Sequence, residues 1–173
     1  MFVDDAAAAP PVAVTSAAET TKPDRPNAIQ ADLGLAVIGL AYERMFLPWL
    51  AVQVEAQIFG TWFGPAFDLP DMRGFGGQVR PTFFVTDDGP RGLYIAPFLR
   101  VDAVATDKND ATGKGVGFSS GVFGGYSFLF ADRVNLRLGV GAQYMSYVVD
   151  VKNERVAFKQ FFPGLDLVVG YCF

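Results

Sequence analysis

The residues that could do chemistry in this sequence are charged side chains that recur at every second position beside apolar residues. Alternate side chains of an extended strand point to opposite faces, so we expect these charges to converge on one interior. Paired carboxylates there could perform acid–base work, but in a narrow interior opposite charges pair and hydrogen-bond instead. We therefore predict a structural network and no catalytic residue. Its members are Asp32, Glu43, Glu55, Arg80, Arg100, Asp102, Arg137 and Asp166.

The sequence contains no histidine. This excludes Ser–His and Cys–His nucleophiles and His-based zinc sites, and it removes the commonest general base. It also disfavours barrel enzymes that modify lipids with a histidine. A net charge of -4, without clustered Lys and Arg, argues against nucleic acid as a partner. We predict no cofactor and no metal site.

Three weaker features have simpler explanations. Residues 113–117 superficially resemble a phosphate loop, but the upstream glycine and the following helix are missing. Residues 107–112 could offer oxygen ligands to calcium, but they lack the glycine that an EF-hand loop needs at its sixth position. Both segments are predicted to be solvated loops. The single cysteine, Cys172, excludes an internal disulfide and is predicted to be a small inward-facing side chain.

Apolar residues alternate with polar or small ones along most of the chain, which predicts strands. The clearest example is residues 50–58, where one face is wholly apolar and the other carries Gln53, Glu55 and Gln57. Proline is rare in central strands, so we expect Pro81 and Pro97 to lie nearly opposite each other at a shared bulge. The predicted strands are residues 29–35, 40–44, 50–58, 75–85, 93–103, 116–130, 134–144 and 165–173.

The composition fits a membrane β-barrel. The chain is 51% hydrophobic and 18% charged, yet no apolar run approaches the roughly 20 residues of a membrane helix. The turns at 47–49, 86–92 and 131–133 are predicted to lie on the periplasmic side, and the longer loops at 61–73, 106–115 and 150–159 outside. Such asymmetry is typical of outer-membrane barrels, as is an even strand number.

The two ends of the chain differ. Residues 1–26 are rich in Ala, Pro and Thr without a period, so we predict a flexible leader, either an inert linker or a docking arm for a periplasmic partner. They lack the pattern of an export signal, and we expect the chain to represent a mature form. At the other end, an apolar row with terminal aromatics is expected to face lipid. This C-terminal assembly signature is Leu167, Val169, Tyr171 and Phe173.

Several segments carry a family resemblance: residues 27–29, 41–44 (Ala-Tyr-Glu-Arg), 92–100, 124–126 and the Gly-Tyr-Cys-Phe end at 170–173. They resemble an uncharacterised family of small bacterial outer-membrane β-barrel proteins. The resemblance spans residues 27–173 and implies an all-β, eight-stranded, antiparallel up-and-down transmembrane barrel of OmpA or OmpX type. It implies a place in the outer membrane of a Gram-negative bacterium, but no established activity.

The function that we predict is that of a non-enzymatic envelope component with a plugged, salt-bridged interior. Its expected partners are the lipid bilayer of the outer membrane, the barrel-assembly machinery through the C-terminal strand, and an envelope protein. Three alternatives stay open: a soluble lipocalin-like ligand-binding barrel, a lipid-modifying outer-membrane enzyme, and a narrow channel.

Overall fold

A computed structural model describes residues 25–62, 71–86, 89–108, 111–151 and 154–173. Eight antiparallel strands follow one another around a closed barrel, and the last strand pairs with the first. The fold class predicted from the sequence is confirmed. The strands are β1 (Asn27–Leu33), β2 (Val37–Leu47), β3 (Leu50–Gly60), β4 (Arg73–Phe84), β5 (Gly92–Lys108), β6 (Ala111–Phe130), β7 (Val134–Val151) and β8 (Glu154–Cys172).

The strands on the C-terminal half are longer than the sequence predicts. The segments 106–115 and 150–159 were expected to be loops, but β5 runs to Lys108, β6 starts at Ala111, and β7 and β8 are separated by two residues only. These segments lack an apolar face, which a strand needs in lipid but not in water. Cross-strand pairs can extend the ladder there, since Asp150 lies opposite both Lys114 and Arg155.

Pro81 and Pro97 interrupt the ladder between β4 and β5. The pairs Val79–Leu99 and Phe83–Ile95 flank the gap in the same register, so the two prolines lie opposite each other. The shared bulge that the sequence suggested is wrong, because no extra residue is inserted. A proline has no N–H to donate, so the pair forgoes its hydrogen bonds without a shift in register.

Two apolar clusters line the interior. One lies towards the end with the short turns and includes Met45, Ala51 and Phe84. The other lies towards the long hairpins and includes Phe59, Tyr147, Val149 and others. Polar and charged side chains occupy the space between these ends, and the residues of the predicted network are among them.

The predicted leader lies outside the described residues, apart from Arg25 and Pro26. The Arg25 guanidinium donates a 2.5 Å hydrogen bond to the carbonyl of Asp132, and the carbonyl of Pro26 accepts one from the N–H of Met45. The chain therefore enters β1 at the short-turn end of the barrel. Within the described residues, no helix is long and apolar enough to cross a membrane.

Candidate functional site

The structure places the eight charged residues singled out from the sequence inside the barrel, and none is more than 7% exposed. They come from seven different strands: every strand except β6 contributes at least one of them. The alternation that brings a charge inward also brings an apolar neighbour outward. The eight residues are Asp32, Glu43, Glu55, Arg80, Arg100, Asp102, Arg137 and Asp166.

The best-formed ion pair in the interior joins Arg137 on β7 to Glu43 on β2. The two terminal nitrogens of Arg137 donate to the two carboxylate oxygens at 2.6 and 2.5 Å. Gln30 also donates to Glu43 at 3.2 Å, and Gln53 donates to Gln30 at 3.0 Å. A bidentate guanidinium–carboxylate pair is among the strongest polar contacts in proteins. It therefore fixes β7 against β2 across the lumen.

Arg80 is the centre of a second group. Its Nη1 lies 2.7 Å from Oδ1 of Asp166, and its Nη2 lies 3.3 Å from Oδ2 of Asp32. The Arg80 Nε donates to Gln53, which connects this group to the Glu43 group. The Tyr94 hydroxyl donates to the other oxygen of Asp166 at 2.5 Å. One guanidinium thus holds carboxylates from β1 and β8, the two strands that close the barrel.

Arg100 and Glu55 are joined through an amide rather than directly. The Arg100 guanidinium donates to the side-chain amide oxygens of Gln78 at 2.9 Å and Gln143 at 3.2 Å. Gln78 in turn donates to Oε2 of Glu55 at 2.9 Å. The other oxygen of Glu55 has no hydrogen-bond partner, and neither has Nε of Arg100. The other two groups each have one buried side-chain atom without a hydrogen-bond partner, Nε of Arg137 and Nη2 of Arg80, whereas this group has two such atoms.

Asp102 lies nearest the apolar cluster at the long-hairpin end. It accepts hydrogen bonds of 2.8 Å from Gln57 and from the Tyr147 hydroxyl. The Tyr147 hydroxyl also lies 2.6 Å from that of Ser119, and its ring stacks on Phe59 at 4.6 Å between centroids. The carboxylate of Asp102 is therefore held by neutral donors and covered by aromatic rings.

Aromatic faces complete the surroundings of the buried arginines. The Arg100 guanidinium lies 4.9 Å from the centre of the Phe98 ring, and that of Arg137 lies 5.5 Å from Phe84 and 5.8 Å from Tyr94. Cation–π contacts of this kind partly replace the lost hydration of the charge. Arg100 and Arg137 are thus packed against aromatic rings as well as hydrogen-bonded.

The turn between β4 and β5 folds against the short-turn end of the barrel. The carbonyl of Pro90 accepts hydrogen bonds from the Ser127 hydroxyl and, at 3.0 Å, from the Asn135 amide. The N–H of Gly89 donates to the carbonyl of Pro48 at 2.6 Å. The sequence predicted the turn but not its inward fold, because the turn residues themselves show no pattern that directs them.

The outer surface is apolar. Large hydrophobic side chains of every strand are exposed, among them Leu40, Ile58, Val116 and Val140. Of the C-terminal signature, Val169, Tyr171 and Phe173 are exposed and Leu167 is half-buried on the same outer face. Tyr171 lies opposite Ile29 of β1 in the closing pair of strands.

The sequence did not assign the amides and phenols that connect the charges. They share the inward parity of the charged residues, which was the available signal, but parity alone does not tell which groups meet. Among the described residues no group of three or more His, Cys, Asp or Glu side chains could hold a metal ion. Cys172 is buried and unpaired. The connecting residues are Gln30, Gln53, Gln57, Gln78, Tyr94, Gln143 and Tyr147.

The polar contacts of the interior connect different strands of the barrel to one another. Each of the three arginines contacts partners from other strands, and Glu43, Asp102 and Asp166 accept hydrogen bonds from side chains of the protein. Acid–base catalysis needs carboxylates that face a substrate space. A cavity of about 10 Å³ lies beside Asp32, Arg100 and Gln143. That volume is about the size of a single water molecule.

Comparison with known proteins gives the same fold. No family model matches the chain, and no curated protein matches it. Neisserial surface protein A (NspA) superposes with a TM-score of 0.55 at 16% identity, over 85% of this chain and 96% of that one. The N-terminal β-barrel domain of Pseudomonas aeruginosa OprF superposes with a TM-score of 0.52 at 11% identity, over 85% and 95%. The chain has the eight-stranded barrel fold of the outer-membrane type.

Proposed function

We propose that this chain is a non-enzymatic integral protein of the outer membrane of a Gram-negative bacterium, and that it acts as a structural or partner-binding component of the envelope. One observation carries the proposal: the polarity of the barrel is inverted relative to a soluble protein. Arg137 is 1% exposed, whereas Leu138, the next residue, is 47% exposed. Soluble monomers rarely expose apolar patches beyond a few hundred Å², whereas a lipid bilayer requires an apolar exterior.

The same observation argues against the soluble lipocalin-like alternative. A ligand-binding barrel would direct its apolar rows inward around the ligand and leave the charges in water. Here Val54 is exposed and its neighbour Glu55 is buried. Extraction from cells distinguishes the two: we expect the protein to need detergent, and recovery in the soluble fraction without it would contradict the proposal.

We further propose that the charge network plugs the barrel. Eight strands enclose a space that side chains just fill, and here the cross-lumen contacts of Arg80 and Arg137 occupy it. Planar-bilayer recording tests this. We expect no stepwise conductance from the wild-type protein and brief openings from the Glu43→Ala, Arg137→Ala double variant, which lacks one whole cross-lumen contact. Steady conductance from the wild type would indicate a narrow channel instead.

The partners that we propose follow from the outer surface. The lipid bilayer contacts the apolar rows, and the barrel-assembly machinery recognises the outward row at Leu167, Val169, Tyr171 and Phe173. An envelope protein is proposed to dock on the wall, on the long hairpins or on the leader. Co-purification from native envelopes identifies such a partner. Incubation with lipid A tests the remaining alternative, because deacylated product would indicate a lipid-modifying enzyme.

A further inference from the structure

The last strand of the barrel is much longer than the first strand, with which it closes the wall. β8 has 19 residues and β1 has 7, and β1 pairs with β8 along residues 168–172. On its other side, β8 pairs with β7 as far as Glu154. Among the described residues, the part of β8 towards the long hairpins therefore has one neighbouring strand instead of two.

The backbone groups of β8 alternate between its two sides. The N–H of Phe173 donates to the carbonyl of Asn27 on β1 at 2.8 Å, and the N–H of Cys172 donates to the carbonyl of Arg133, which precedes β7, at 2.7 Å. The pairing with β7 continues without a shift in register. The N–H and C=O groups of every odd-numbered residue of β8 are therefore directed away from β7.

The turn after β1 lies beside β8 up to Leu165. A Cβ built on Gly34 in this turn would lie 3.5 Å from the carbonyl oxygen of Leu165. The next odd position is Pro163, which has no N–H and so loses no bond on the uncovered side; proline in sheets is largely confined to such positions. Further towards the long hairpins, no described strand pairs with residues 155–161 on this side. We call these residues the open edge.

The open edge lies beyond the apolar belt of the barrel. Tyr144 and Phe161 are paired across β7 and β8 with ring centroids 5.3 Å apart, and aromatic residues are enriched at the boundary between acyl chains and headgroups. Unpaired backbone groups are excluded from the hydrocarbon region, but outside it water hydrates them. The open edge thus presents a row of backbone donors and acceptors that an added strand can use.

The side chains of the open edge decide which strand fits beside it. Arg155 and Lys159 are exposed on the outer face, whereas Phe158 is buried in the apolar cluster of the inner face. On β7, Asp150 lies opposite Arg155, but Ser146 lies opposite Lys159. Opposite charges on adjacent strands stabilise a sheet, and like charges destabilise it. A strand that is acidic on its outer face and apolar on its inner face therefore complements the open edge.

We propose that the open edge binds an extended acidic segment of a partner protein by strand addition. The segment lies antiparallel to β8, the commoner pairing, with acidic side chains beside Arg155 and Lys159. The inference rests on the proposed envelope role, for which it names the docking surface and the kind of partner. A second copy of the chain is a poor occupant, because it would bring the same two cations to the interface.

The test uses synthetic peptides and the full chain purified in non-ionic detergent. The acidic peptide is Thr-Val-Glu-Val-Thr-Val-Glu-Val-Thr with capped ends and a fluorescent label, and the basic peptide has lysine in place of both glutamates. Heat-modifiable gel migration first verifies folding; failure to fold in detergent would contradict the membrane proposal itself. With folded protein we expect fluorescence anisotropy to show about tenfold tighter binding of the acidic peptide. Equal binding of both peptides, or binding of neither, would overturn the inference and leave the membrane proposal standing.

Charge reversals locate the contact. Lys159→Glu should remove most of the preference for the acidic peptide, and the Arg155→Glu, Lys159→Glu double variant should prefer the basic one. Lys114→Glu is the matched control, because Lys114 is also exposed beyond the apolar belt but lies on β6, two strands from the open edge. It should keep the preference of the wild type. Equal changes in Lys114→Glu and Lys159→Glu would show a general attraction between charges and would overturn the site.

Strand addition itself is tested through the backbone. The odd-numbered residues of the open edge exchange N–H···O=C bonds with the peptide residues directly opposite, which are the glutamates and threonines of the outer face. N-methylation of both glutamates should abolish binding, whereas N-methylation of two valines, whose N–H groups point away from β8, should leave it nearly unchanged. Equal effects of the two methylation patterns would overturn strand addition.

A proline variant makes the same test on the protein. Ala157→Pro removes an N–H from the open edge and leaves the bonds to β7 in place, so heat-modifiable migration should be unchanged. We expect the acidic peptide to bind about fivefold more weakly, as the loss of one hydrogen bond implies. An unchanged affinity in the folded variant would contradict the backbone contact.

Discussion

Arg137 donates hydrogen bonds of 2.6 and 2.5 Å to the carboxylate of Glu43, although 94 positions separate the two residues in the chain. Both side chains are at most 2% exposed. Removal of one partner from a buried ion pair leaves an uncompensated charge, which costs about 3–5 kcal/mol, whereas removal of both costs much less. The pair is therefore a sensitive point for measuring how the interior holds the barrel together.

The first prediction is a double-mutant cycle on this pair. Glu43→Gln and Arg137→Met should each lower the free energy of unfolding by about 3 kcal/mol, and the double variant should lose much less than the sum. Urea unfolding in detergent, followed by heat-modifiable gel migration, measures the three values. Arg44→Met, an exposed neighbour of Glu43, is the control and should change stability by less than about 0.5 kcal/mol. Additive losses would refute the coupling.

The second prediction concerns Arg100, which donates to two amides and packs on Phe98. Arg100→Ala should lower the temperature at which the barrel loses its compact gel migration, because the carbonyl oxygens of Gln78 and Gln143 lose a donor. Arg91→Ala, at an exposed position next to β5, is the matched control. An unchanged transition in Arg100→Ala would mean that Arg100 contributes no net stability through its contacts.

The third prediction compares two buried carboxylates. Asp166 contacts Arg80 at 2.7 Å, whereas one oxygen of Glu55 has no hydrogen-bond partner. Asp166→Asn should cost about 3 kcal/mol because it breaks a buried pair. Glu55→Gln should be neutral or stabilising, because it removes an incompletely satisfied charge while an oxygen stays available to Gln78. The order of the two unfolding midpoints checks the prediction, and a larger loss for Glu55→Gln would reverse it.

Much of this architecture could be predicted from the sequence because period two is a strict constraint. A strand in a barrel has only two faces, and successive residues alternate between them. Leu165 belongs to the apolar row at the C-terminus and therefore faces lipid, so the next residue, Asp166, must face the lumen. The strand number and the inward position of the charges follow from the same rule. The length of the long strands could not be predicted in this way. The segments around Lys114 and Arg155 lie beyond the apolar belt, and apolar and polar residues do not alternate there.

The pairing inside the lumen could not be predicted. Parity places Arg80 and Asp166 on the inner surface but says nothing about the register that brings them within 2.7 Å. That register depends on the stagger of all eight strands around the barrel. Nor does the sequence show that Gln78 stands between Arg100 and Glu55. Amides of this kind have no distinctive spacing, and their partners become evident only in three dimensions.

The fourth prediction separates assembly from stability at the C-terminal row. If the barrel-assembly machinery reads this row, Tyr171→Ser with Phe173→Ser should slow insertion in cells by about tenfold and leave refolding into detergent almost unchanged. Pulse-chase labelling with heat-modifiability as the readout measures insertion. Phe161→Ser removes an exposed aromatic residue from the same strand and is the control. Equal delays in both variants would show that exposed aromatics act on insertion irrespective of their place.

The last prediction uses two glycines of β6 that face opposite sides of the wall. A Cβ on Gly117 would overlap the Tyr147 ring, whereas one on Gly124 would have its nearest neighbour at 3.8 Å. Gly117→Ala must therefore displace Tyr147, which stacks on Phe59 and donates to Asp102. We expect a loss of about 2 kcal/mol, within the range for overpacked cores.

Gly124→Ala should instead be neutral or slightly stabilising, because the methyl group meets no obstacle and alanine restricts the unfolded chain. Both substitutions remove the same glycine freedom from the unfolded state, so their difference in unfolding free energy isolates the contact with Tyr147. The Gly117→Ala, Tyr147→Ala double variant completes the cycle. If the ring is the obstacle, Gly117→Ala should cost little in the absence of Tyr147; an equal cost in both backgrounds would assign the crowding to the backbone instead.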